Sequence, residues 1–298
     1  MILLAGGTGT LGTEVVRLLT ARGLEVRILT RDPERAEHER GALVEIVSGD
    51  VQDARAVEQA TEEAQTVISA IQGFGGAAPA GPQAVDRQGN TNLIRAAKEG
   101  ETDHFILVSI QGAAPDHPME LFRMKYQAEQ ELKASGLTWT IIRPTAYMET
   151  WGTLIGEPLL KTGRTRIFGR GNNPINFVSA HDVARFVELA VLDPAMRGEV
   201  VEVGGPENFS MKQVAQTFEA VTGKEGKMSH VPLPMMRLMS VIMRPVNPML
   251  ARQIQAGVVM DTYDFSFDPS ETIRRYPSIP PMSLAEVVRR DYVAPMTE

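Results

Sequence analysis

A short apolar run at residues 1–5 ends abruptly in Gly6-Gly7-Thr8-Gly9-Thr10-Leu11-Gly12, after which Leu11, Val15, Leu18 and Leu19 recur at helical spacing. Strand, glycine turn and helix in immediate succession describe the start of a βαβ unit, with a first strand apolar enough to be buried on both faces. Further apolar runs at 25–30, 43–48, 66–70, 105–109 and 138–143 alternate with helical stretches, notably 82–98 and 119–135. That alternation predicts an α/β fold: a Rossmann-type doubly wound parallel sheet with helices on both faces. Right-handed crossovers then give the strand order 3-2-1-4-5-6.

Each glycine of the turn has a physical task. Gly6 permits the sharp exit from the strand, and Gly9 lets a diphosphate approach the backbone. Gly12 lets the helix pack closely on the sheet. The helix start adds unpaired N–H groups and a positive dipole end. The context therefore points to a nicotinamide dinucleotide, with Thr8, Thr10 and Leu11 completing the cradle. No Gly-Lys-Ser/Thr follows, so a P-loop is excluded. Thr30-Arg31 at the tip of the second strand chooses between coenzymes. Arg31 can pair with a 2′-phosphate, which sets NADP(H) ahead of NAD(H). Asp32 reads as a helix N-cap before Pro33, and Arg35 lies one turn further on. Asp50 and Val51 fall where an adenine edge is expected, although Asp50 also suits a turn cap. Ser69 and Ala70 are small enough to pass beneath a coenzyme. The glycine-rich stretch 72–76 is expected to be flexible.

Composition removes several function classes. The chain has no cysteine, so thiolate metal sites and cysteine nucleophiles are excluded, and its five histidines lack zinc-ligand spacing. The net charge of −7, with no basic cluster, argues against nucleic acid. No run reaches transmembrane length and no signal segment is evident, so a cytoplasmic protein is expected. The anticipated organisation is a coenzyme-binding core over 1–144 and a smaller lobe over 145–298, interleaved with it. Residues 163–173, rich in glycine and arginine, read as a mobile loop, and Ser210 reads as a helix cap.

Together these residues resemble the atypical, NmrA-like and isoflavone-reductase-like branch of the short-chain dehydrogenase/reductase superfamily. The matching pieces are the Gly6–Gly12 turn, Arg31, Gly49-Asp50, Asn92-Leu93-Ile94-Arg95-Ala96-Ala97, Leu107-Val108-Ser109 and Ser135-Gly136-Leu137 with Ile142-Arg143-Pro144. Phe177-Val178, His181-Asp182-Val183-Ala184 and Gly204-Gly205-Pro206-Glu207 add to it, so that the resemblance spans roughly residues 1–225. Ordinary members carry Tyr-x-x-x-Lys; here the tyrosine position is Leu121 and the lysine position is Lys125. Leucine transfers no proton, so the usual carbonyl-reductase mechanism does not carry over. Phe122-x-x-Lys125 fits the isoflavone-reductase-like pattern, which implies that Lys125 transfers a proton or positions the nicotinamide ribose.

Ser109 is open to two readings, an orienting hydroxyl or a satisfied strand end. Tyr147 and Trp151 either line a flat apolar pocket, with Tyr147 replacing the missing acid, or pack beneath the second lobe. The resemblance implies a reductase of a small apolar, aromatic or quinone-like acceptor, or a non-catalytic NADP(H)-sensing or assembly protein; a homo-oligomer is open. Met235, Met236, Met239 and Met243 recur near helical spacing, flanked by Arg237 and Arg244. A core helix, a lid, a partner-binding face and a membrane-surface helix all fit that pattern.

Overall fold

In the computed structural model, residues 1–75 and 81–293 are described; Gly76, the end of the expected flexible stretch, lies outside them. In chain order the elements are β1 (Ile2–Ala5), α1 (Thr10–Ala21), β2 (Val26–Thr30), β3 (Val44–Ser48), α2 (Ala54–Thr61), β4 (Thr66–Ser69), α3 (Asn90–Glu99), β5 (His104–Val108), α4 (Glu120–Ala134) and β6 (Trp139–Pro144). There follow β7 (Ala146–Tyr147), α5 (Met148–Trp151), α6 (Glu157–Thr162), β8 (Arg164–Phe168), β9 (Ile175–Val178), α7 (Ala180–Leu192), β10 (Val200–Val203) and β11 (Asn208–Phe209). The last are α8 (Met211–Thr222), β12 (Lys227–Val231), α9 (Leu233–Met243), α10 (Pro248–Thr262), α11 (Ser270–Arg275) and α12 (Leu284–Val288). They form two compact units, Met1–Pro144 with Val183–Glu202, and Thr145–Asp182 with Val203–Glu298.

The first unit holds a seven-stranded sheet in the order β10-β6-β5-β4-β1-β2-β3, the expected Rossmann-type order extended by one strand. Central β1 pairs in parallel with β2, Ile2 opposite Val26, and with β4, Ile2 opposite Thr66. Leu3, Val67, Phe105, Leu107 and Ile141 pack on one face with Val57, Leu93, Ala97, Ala128 and Leu132 of α2, α3 and α4. The alternate residues Leu4, Ile28, Ile68 and Ile106 point the other way and are equally buried, as a sheet covered on both sides demands. Asp32 caps the segment after β2 by accepting from Arg35 N, as expected, but that segment, Pro33–Glu39, is a 3-10 helix rather than an α-helix. The expected helix from Pro82 begins as a π-helical turn, Gln83–Gly89, and becomes regular only at Asn90.

The second unit is built on β9, which pairs in parallel with β7 and antiparallel with β11, and on the parallel pair β8 and β12. Its core gathers Ile155, Leu159, Ile167, Phe177, Val214, Phe218, Leu284 and Val288. Ser210 caps α8 as expected, in a reciprocal capping box with Gln213. The stretch 163–173, expected as a loop, contains a strand. Residues 164–168 form β8, with Thr165 and Ile167 inward and Arg164 and Arg166 outward. The turn after it is pinned by Asp261, whose carboxylate accepts from Gly171 N at 2.9 Å and Arg170 Nε at 3.0 Å. The alternation of β8 was present in the sequence, hidden among glycines that belong to its flanks.

Buried His104, the first residue of β5, donates from Nε2 to Thr140 Oγ1 at 2.9 Å, because the Thr140 hydroxyl proton is spent on Met196 O. Burial, reinforced by Arg197, lowers the imidazole pKa to about 4. A depressed folded-state pKa means that the unfolded chain binds the proton first as pH falls. Stability is therefore present above the ordinary histidine value of 6.5 and is lost toward pH 4, at most about 3 kcal/mol. Denaturant midpoints measured across that window should fall for the native chain and flatten for His104→Gln.

Candidate coenzyme site

The carboxyl ends of β1 and β4 meet at Gly6. Its φ of +94° is open to glycine, and a Cβ there would lie 2.6 Å from Ala70 O. A Cβ on Gly12, in the first turn of α1, would lie 2.2 Å from Gly6 O. These two glycines are thus demanded by the packing of strand, turn and helix. Gly9 is different. It is exposed, its backbone is extended (φ −91°, ψ 170°), and a Cβ would meet only Gly6 O, at 3.5 Å. Nothing within the protein requires a glycine there. Gly9 is also the N-cap of α1 and supplies no side-chain acceptor, so the N–H groups of Thr10, Leu11 and Gly12 start the helix uncapped.

Arg31 is exposed at the tip of β2, and its guanidinium makes no hydrogen bond or ion pair among the described residues. The competing anion, Asp32, is turned to its capping bond with Arg35 N. A cation without a partner therefore stands beside the turn's strand, with no carboxylate claiming it. Asp50 accepts from Gln52 N at 2.9 Å and from the Gln52 side chain, the turn-cap geometry; neighbouring Val51 accepts from Asn92 Nδ2 through its carbonyl. Ser69 is fully buried and donates to Asn90 Oδ1 at 2.6 Å, while Ala70 stays partly open beside Gly6.

The residues read as chemical from the sequence are engaged otherwise. Lys125 is buried; its Nζ donates to Ile71 O at 2.8 Å and Val108 O at 2.9 Å and lies 3.1 Å from Asp86 Oδ1. The ammonium thus has two carbonyl acceptors and a carboxylate beside it. Burial pushes the Asp86 carboxyl up, Lys125 pulls it back, and its other oxygen accepts from Gly73 N. The pair ties the carboxyl ends of β4 and β5 to the π-helical turn. Phe122 of the Phe-x-x-Lys pattern stacks on His117, 3.9 Å between ring centroids.

Ser109 donates to Glu129, which is fully buried and also takes a two-pronged bond from Arg143. Its hydroxyl is a satisfied strand end. In the second unit, Trp151 packs edge-on against Phe177 at 6.0 Å. Burial, reinforced by Glu149, holds the Tyr147 phenol well above its ordinary range, which makes it a weaker acid than a free tyrosine. Asp86, Asn90 and Glu129 went unrecognised in the sequence. Their signal was a polar residue on an otherwise buried helix face. Lys125→Met should cost about 3–5 kcal/mol by stranding Asp86, and Asp86→Leu added to it should restore most of the loss in an unfolding titration. A Lys125→Met chain as stable as the native one would refute the structural role.

A family model described as NAD(P)H-binding matches residues 6–194. An NAD(P)H azoreductase of Xenophilus azovorans is 30% identical over 224 residues, 75% of this chain and 74% of the relative. Photosystem II assembly factor Ycf39 of Synechocystis sp. is 29% identical, over 80% of this chain and 72% of that one. Among solved structures, an NADPH-dependent quinone oxidoreductase of Escherichia coli, complexed with NADPH, superposes with a TM-score of 0.77 at 20% identity, covering 97% of this chain and 99% of its own. The chain belongs to the NAD(P)H-binding family, within the atypical, NmrA-like group of short-chain dehydrogenase/reductases.

Proposed function

We propose that this protein is an NADPH-dependent reductase of a small apolar acceptor, aromatic or quinone-like. The observation that carries the coenzyme half is Gly9, a glycine that the chain's own packing does not need, at the uncapped head of α1. The amides of Thr10, Leu11 and Gly12 would hold the diphosphate there. Arg31 would take the 2′-phosphate, and its freedom from any carboxylate supports NADPH over NADH. Asp50 and Val51 would flank the adenine, and Ala70 would border the coenzyme beside Gly6. Lys125 is best placed as a positioning residue that fixes the strand ends beneath the site. A bound reduced nicotinamide supplies hydride.

The proton is the discriminating issue. Leu121 is buried and carries none, Lys125 donates to two carbonyls and is paired with Asp86, and Tyr147 is a poor acid. An acceptor whose reduced oxygen is weakly basic, such as a quinone, takes its proton from water, so the missing acid supports that acceptor class. The quinone oxidoreductase accords with that class, and the azoreductase with an aromatic acceptor. The same missing acid favours a second reading, a non-catalytic NADP(H)-sensing or assembly protein, the role named for the photosystem II relative.

NADPH consumption against a panel of quinones and aromatic carbonyls separates the two: turnover with quinones is expected, and tight NADPH binding with no turnover on any acceptor would favour the sensor. Arg31→Ala should raise KM for NADPH by about ten-fold or more and leave KM for NADH near its native value; equal losses for both would show that Arg31 does not read the phosphate. Gly9→Ala should fold normally, since its Cβ has 3.5 Å of clearance, yet weaken both coenzymes by about ten-fold. Native affinity in that variant would sink the cradle.

A further inference from the structure

Helix α9 has three sides. Met236 and Ser240 face inward and are buried. On the outward side Met235, Leu238, Val241 and Ile242 are 50%, 60%, 70% and 52% exposed, and Val246 just beyond the helix is 77% exposed. At 3.6 residues per turn, Leu238 and Ile242 mark the centre of that face, with Met235 and Val241 to either side. Arg237 and Arg244 lie together along one flank, two turns apart, and neither guanidinium has a hydrogen bond or ion pair among the described residues. No Asp or Glu occurs between positions 226 and 260, whereas Lys227, Arg237, Arg244 and Arg252 do, in a chain whose formal charge is −7. Acidic residues are thus absent from a helix that shows an apolar ridge to the surroundings.

We infer that this face of α9 docks the protein on an anionic lipid surface, with the aliphatic ridge entering the headgroup region and the arginines meeting lipid phosphates. The chemistry fits an in-plane interfacial helix, which needs a contiguous apolar face with cations beside it. A second copy fits less well: a two-fold contact places each face on its like, and the segment offers no carboxylate to answer, in either orientation, the arginines that an antiparallel contact would bring together. A specific protein partner fits less well too, because the segment 232–250 has no aromatic anchor of the kind that concentrates binding energy at protein interfaces. The inference is independent of the acceptor, since none of these residues belongs to the coenzyme turn.

Co-sedimentation of the full chain with phosphatidylcholine vesicles, with and without phosphatidylglycerol, tests it. Binding is expected only to the vesicles containing phosphatidylglycerol, and is expected to fall as salt is raised. Arg237→Ala and Arg244→Ala should each weaken it by about five-fold, and Leu238→Asp with Ile242→Asp should abolish it. All of these positions are exposed, so NADPH titration and the unfolding midpoint should stay native and certify the variants. Absence of binding to anionic vesicles, or undiminished binding by the Leu238→Asp/Ile242→Asp chain, would overturn the proposal. So would a native dimer in light scattering that the aspartates dissociate while vesicle binding is missing, which would assign the face to a second copy.

Discussion

The contact between Gly6 and Gly12 sets the terms for the first unit. With the Gly12 Cα so near Gly6 O that a Cβ would sit 2.2 Å from it, α1 can start only directly against the end of β1. That closeness fixes the direction in which the helix leaves the sheet and points its uncapped amides along the carboxyl edge. It also presses Gly6 onto Ala70, so that the ends of β1 and β4 form one surface. Those are the strands on either side of which the sheet order reverses, the place where open α/β sheets bind their ligands. Gly9 then stands out because it shares none of this crowding.

Around that edge the protein stabilises buried charge rather than avoiding it. Lys125 and Asp86 form one pair; Glu129, Arg143 and Ser109 form a second group, joined on the far side by Glu202 at 3.4 Å from Arg143. Buried pairs of this kind contribute little net stability over apolar residues of the same shape, but breaking one is costly. Their value lies in geometry. The Lys125 ammonium holds the carbonyls of Ile71 and Val108, which follow or close β4 and β5, and so fixes the floor of the edge.

In the second unit the same economy of polar groups applies to backbone. Asp261 stitches the turn at Gly171 and Arg170 to α10, and Asn173 donates to Met260 O at 2.7 Å. A stretch that composition marks as loose is thereby ordered by a carboxylate about ninety residues away. Hydrogen bonds of that separation leave no local trace. In α9, by contrast, the outward residues are apolar, and the Arg237 and Arg244 guanidinium groups have no hydrogen bond or ion pair among the described residues.

The sequence by itself determined the sheet, the glycine turn and the Arg31 tip, because each rests on local physics: alternation of short apolar runs with helical spacing, glycine where the turn requires it, a cap at Asp32 and at Ser210. It also revealed that Leu121 removes the ordinary acid. It did not reveal what Lys125 touches, since the oxygens around it come from residues 71, 86 and 108 and only the folded sheet brings them to one point. Ser109, readable as an orienting group or a satisfied hydroxyl, became the latter through Glu129 for the same reason. The four methionines of α9 had one spacing and several meanings; which side of a helix is covered depends on what packs against it, and tertiary structure buries Met236 while leaving Met235 and Leu238 outside.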